Sequence, residues 1–129
     1  MKKYENFCSA LENLKDIYKY QEPYDNVILT GLTGLFEICF EQAWKAMKEI
    51  LQDQGFEECR SGSPKQIIKT AYSAAMILDE DAWLGALISR NNVSHAYHGA
   101  VALDIINKTK TVYYRMFCNL KEEIEKNWI

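Results

Sequence analysis

The run "FEICFEQAWKAMKEILQDQG", residues 36–55, decides how the chain folds. Its apolar side chains fall at Phe36, Cys39, Phe40, Ala43, Trp44, Met47, Ile50 and Leu51. Steps of one and three lay a single stripe along an α-helix; they do not alternate as a half-buried strand would. Extended backwards through Leu35 and Leu32, the stripe predicts a long helix behind Asp25, whose carboxylate suits an N-cap. Gly31 and Gly34 weaken this helix near its start, by about 1 kcal/mol each relative to alanine. Gly55 is a natural stop.

Outward from this run the same period recurs. Tyr4, Phe7, Cys8, Leu11, Leu14, Ile17 and Tyr18 predict a first helix over roughly 3–20, ended by "QEPYD", where Pro23 disfavours a helical residue before it. "FEECRSGS" reads as a loop, and "SPKQ" as a helix start. There Ser63 caps, Pro64 takes the first position and Gln66 completes a capping box. The third helix is expected to reach about Ile77, burying Ile67, Ile68, Ala71, Tyr72, Ala75 and Met76. A fourth starts behind Asp79 with Trp83, Leu84, Leu87 and Ile88 inward, and a last long helix runs from about Gly99 to Asn127. Its tail "KEEIEK" reads as a solvated face with i,i+4 pairs. The fold class is all-α: an up-and-down antiparallel bundle of about five helices, with Phe36, Phe40, Trp44 and Trp83 in its core.

A chain of 129 residues suits one domain, 1–129, large enough to bury a core. A net charge of -3 argues against a basic nucleic-acid binder, so any contact with RNA has to come from a local patch. Cys8, Cys39, Cys59 and Cys118 are scattered, with no C-x-x-C pair and no histidine at ligand spacing, so they read as small hydrophobes and no metal or cofactor is expected. "MKKYENFCSALENL" is not a signal peptide and no apolar run is long enough to span a membrane, which predicts a cytoplasmic protein.

Chemistry concentrates in "ALISRNNVSHAYHG", residues 86–99, which holds both histidines of the chain, His95 and His98. On a straight helix, residues five apart are separated by roughly 140°, so Arg90 and His95 would face different ways. The weak helix formers "NNVS" between them predict a bend or helix end near Asn92 that could bring both to one cleft. The set suits cleavage of a phosphodiester without a metal. His95 can move a proton near neutral pH, Arg90 can hold phosphate oxygens bidentately, and Asn91 can donate a further hydrogen bond. One imidazole does not readily perform both proton transfers, which points to a second copy across a dimer interface. The bland alternative is a polar helix end facing water, with Tyr97 packing its ring on the last helix. His98, where that helix begins, reads as an exposed imidazole, and Lys45 as a solvated lysine beside Trp44.

Three blocks in order, "FEICFEQAWKAMKEILQDQG", "SPKQIIKTAYSAAMI" and "WLGALISRNNVSHAY", resemble the HEPN superfamily. Within it, the chain is similar to the nucleotidyltransferase substrate-binding proteins, close to the HepT-like toxins. The likeness covers about residues 25–115, and its most specific parts are Phe36–Lys45 and the R-x4-H-x-Y run Arg90–Tyr97. The resemblance implies a homodimeric helical bundle paired with a minimal nucleotidyltransferase. In toxin-like members it implies metal-independent RNA cleavage by Arg90 and His95 with Asn91 assisting, silenced when the partner transfers AMP to Tyr97. That is the main expectation; the alternative is a non-catalytic subunit that presents a substrate to the nucleotidyltransferase. The intact Arg90, Asn91 and His95 favour the toxin-type endoribonuclease; the acidic net charge favours the binding subunit.

Overall fold

A computed structural model describes residues 2–129. Its helices are α1 (Lys2–Leu14), α2 (Asn26–Asp53), α3 (Pro64–Ser73), α4 (Glu80–Asn91), α5 (Gly99–Lys108) and α6 (Tyr114–Asn127). A 3-10 turn, Lys15–Lys19, extends α1, and a π-turn, Thr109–Tyr113, joins α5 to α6. The described residues therefore form five helical rods and no strand.

Local chemistry starts and stops these rods as expected in most places. Asp25 accepts a hydrogen bond from the Ile28 amide at 2.9 Å and opens α2. Ser63 and Gln66 close a reciprocal capping box around Pro64. Gly55, at φ 93, ends the α2 region: its amide donates to Gln52 O at 3.0 Å and that of Phe56 to Leu51 O at 3.0 Å. This is the Schellman closure, in which a left-handed residue satisfies orphan carbonyls.

Two long-range contacts orient the rods. The Lys3 amide, at the start of α1, donates to Glu49 near the end of α2 at 3.2 Å. The Tyr4 hydroxyl donates to Glu125 near the end of α6. α1 thus runs antiparallel to both α2 and α6. α4 also opposes α6: its start shares a cavity with Leu120 and Lys126, and its later residue Ser89 bonds Tyr113. The core between these rods holds Phe7, Phe36, Phe40, Trp83 and Phe117, all buried. Trp83 meets Phe117 edge-on at 5.5 Å, and Phe36 stacks on Tyr113 at 5.2 Å. Trp44 packs against this core but is only half-buried. The four cysteines are free thiols, and burial pushes those of Cys39 and Cys59 up, as for small hydrophobes.

Four expectations are corrected. α3 ends at Ser73, not near Ile77, because Ala75 adopts φ 63 and makes a second Schellman closure, Met76 N–H to Ala71 O at 2.9 Å. The reversal buries Met76 and Ile77 and leaves Tyr72 and Ala75 exposed. On α4, Ile88 is 63% exposed whereas Ala86 and Ser89 are buried. Trp83 sets that rotation, and Ser89 is tolerated inside because its hydroxyl pairs with Tyr113 Oη at 2.8 Å. Helix α4 does begin behind Asp79, as expected, although that residue makes no side-chain cap. The last helix is not uninterrupted, since the hydroxyls of Thr109 and Thr111 bond carbonyls one turn back, at 2.7 and 2.8 Å, across the π-turn. Such back-bonding competes with the regular ladder.

Candidate functional site

Helix α4 stops at Asn91, with Asn92 as its C-cap, and the chain turns through Val93–His95 before α5 begins behind His98. The helix end expected near Asn92 is therefore present, and 90–97 runs along α2 from Glu41 back towards Asn26. Arg90 meets Glu41; Val93 and Ser94 share a groove with Gly34 and Glu37; Ala96 and Tyr97 meet Thr30 and Asn26. Thr30, Gly34, Glu37 and Glu41 are spaced by four, three and four residues, so one face of α2 is the base of the site.

Arg90 is held on two sides. Its Nε donates to Glu41 Oε1, and its Nη1 donates to Asn91 Oδ1 at 3.0 Å. The other oxygen of Glu41 accepts from Trp44 Nε1 at 3.1 Å. Neither Arg90 bond uses Nη2, which leaves part of the guanidinium for an incoming anion. Arg90 and Asn91 are thus brought together. His95 is exposed on the following turn and makes no hydrogen bond with Arg90.

Tyr97 is 77% exposed. Its ring lies 4.3 Å from that of His98 and 6.3 Å from that of His95, so it does not bury itself on the last helix. Beside it runs a groove of about 340 Å³ lined by Thr30, Gly34, Glu37, Ser94 and Tyr97 among others. A larger cavity of about 420 Å³ lies between the α3–α4 connection and α6, but it contains none of Arg90, Asn91, His95 or Tyr97. Among the described residues no group of three His, Cys, Asp or Glu side chains could hold a metal ion. No helix there is long and apolar enough to cross a membrane.

Glu41 and Glu37 are what the reading of the sequence missed. The signal was present: two glutamates, i and i+4, inside an otherwise apolar run. The Glu41–Arg90 pair is about one-quarter exposed on both sides, so solvent screens part of its attraction. Glu41→Ala is expected to cost about 1 kcal/mol, between an exposed pair and a buried charged hydrogen bond. A thermal melt followed by circular dichroism should fall by roughly 3–5 °C. An unchanged melt would mean that the pair is solvated and does not hold Arg90.

A family model described as nucleotidyltransferase substrate binding protein like matches residues 2–126. The chain belongs to that family. Several solved structures share its fold, among them these two. One, from Thermus thermophilus, is 24% identical, with 93% of this chain and 99% of that one covered and a TM-score of 0.80. The other, from Haemophilus influenzae, is described as revealing the fold of a substrate binding domain of a nucleotidyltransferase. It is 18% identical, with 95% of this chain and 99% of that one covered and a TM-score of 0.81. No curated protein matches the chain. The helical bundle is thus the fold of this family, and the groove and the Arg90–Tyr97 segment are features of one of its members.

Proposed function

We propose that this chain is the substrate-binding subunit of a two-part nucleotidyltransferase, and that Tyr97 is the acceptor it presents. The observation that carries the reading is the exposure of Tyr97, on the turn between α4 and α5. In the transfer, Tyr97 Oη attacks the α-phosphorus of ATP. The new O–P bond forms as the bond to pyrophosphate breaks, pyrophosphate leaves, and the phenolic proton passes to a base of the nucleotidyltransferase. A protonated phenol is a poor nucleophile, and such a base makes it a good one. Incubating the chain with ATP and its partner nucleotidyltransferase, then mapping the modified peptide by mass spectrometry, tests the assignment. A nucleotide on another residue, or none, rejects it.

A second reading, a metal-independent endoribonuclease silenced by that modification, is favoured by one feature: the Arg90–Asn91 contact one turn before the exposed His95. Here His95 would take the 2′-hydroxyl proton of RNA, and Arg90 with Asn91 would hold the phosphate oxygens as charge grows on them. A homodimer would supply the second imidazole, and Ile38 and Ile88 are exposed apolar side chains available to a second copy. Adenylated Tyr97 would then bring a competing phosphate towards Arg90. The purified chain should cleave RNA in the presence of a chelator, and His95→Ala should abolish cleavage with helical circular dichroism intact. Cleavage by that variant at the original rate removes this reading and leaves the binding subunit.

A further inference from the structure

We infer that the groove between α2 and the turn 93–97 seats the nucleoside of a nucleotide carried on Tyr97. The inference rests on Tyr97 as the acceptor and adds where its cargo lies. The volume, about 340 Å³, is at the small end of the roughly 300–1,000 Å³ range of small-molecule sites. Tyr97 forms its rim, so a group bonded to Oη needs only to fold back. Gly34 lies in the lining, and a Cβ built there meets nothing within 4 Å. The α2 surface is therefore cut away beside the tyrosine.

The chemistry of the lining selects the nucleoside over the phosphate. No lysine or arginine lines the groove, and Glu37 makes its far end negative. A phosphate there would be repelled. Ribose hydroxyls and an exocyclic amine are donors, and a carboxylate is an acceptor for them. Thr30 and Ser94 are exposed and Glu37 is half-buried, so their side-chain oxygens can face a ligand in the groove. Tethering supplies an effective concentration in the millimolar range, so even a weak site fills once the ester has formed.

The test uses the full chain, labelled with nitrogen-15 and titrated separately with adenosine and with inorganic phosphate. Adenosine should shift the Thr30 and Gly34 amides with a millimolar Kd, and phosphate should leave them unmoved. Gly34→Leu should weaken adenosine binding at least tenfold without lowering the melting temperature, and Glu37→Ala should weaken it several-fold. No shift at tens of millimolar adenosine, or full affinity in Gly34→Leu, overturns the groove. Mass spectrometry separates the two ideas. Adenosine binding at Gly34 without any adduct on Tyr97 leaves the groove standing as a nucleoside site and rejects the acceptor. An adduct that forms while the groove amides stay unmoved does the reverse.

Discussion

Tyr97→Phe is expected to take up no nucleotide from ATP and the partner nucleotidyltransferase, while folding as the parent does. The substitution removes one oxygen from a side chain that is 77% exposed. Surface changes of that kind usually alter stability by no more than about 0.5 kcal/mol, so circular dichroism and the melting temperature should hold. The other tyrosines are poor substitutes. The hydroxyls of Tyr4, Tyr18, Tyr24 and Tyr113 are engaged with Glu125, the Lys110 carbonyl, the Lys110 ammonium and Ser89 respectively. Tyr114 is half-buried and meets the Tyr18 ring edge-on at 5.4 Å. Tyr20 and Tyr72 are 43% and 46% exposed, well below Tyr97. Intact-mass measurement before and after incubation reads the outcome directly. Full labelling of the Tyr97→Phe protein would move the acceptor elsewhere, with Tyr72 the first residue to examine.

The second large effect is on stability. Trp83→Ala is expected to lose about 3–5 kcal/mol, a large part of the 5–15 kcal/mol typical of a whole domain. Trp83 is 1% exposed and its ring meets Phe117 at 5.5 Å and Phe40 at 6.2 Å. Removing it empties the junction of α2, α4 and α6 and leaves partners that cannot all collapse inward. Because the same ring sets the rotation of α4, the loss reaches Arg90 two turns later. Urea denaturation should show the midpoint falling sharply, and Trp83→Phe should recover part of it. A loss under about 1 kcal/mol, the centre of the range for ordinary substitutions, would mean that the ring is replaceable packing and that some other contact orients α4.

How much of this was legible depends on how far apart the interacting groups lie in the chain. Asp25 with Ile28, Ser63 with Gln66, and Gly55 with Gln52 and Leu51 act within a single helical turn or little more. The sequence alone therefore determined the helix starts, the stop at Gly55, the break near Asn92 and the all-α bundle. It also marked Arg90–Tyr97 as the segment with chemistry, because a cation, amides, imidazoles and a phenol are visible without a fold. Ala75 escaped notice since a left-handed alanine carries no signal of the kind glycine does; its strain is offset by the Met76–Ala71 closure bond and the burial of Met76 and Ile77. Ser89 was hidden for the same reason: it is polar, and its partner Tyr113 stands 24 residues away. Glu41 meets Arg90 across 49 residues, and the groove beside Tyr97 exists only where α2 passes under the turn. Periodicity shows that a helix has a buried face, but the direction of each side chain around that face depends on the ring or carboxylate opposite it. That choice was made by Trp83, Tyr113 and Glu41 when the rods packed.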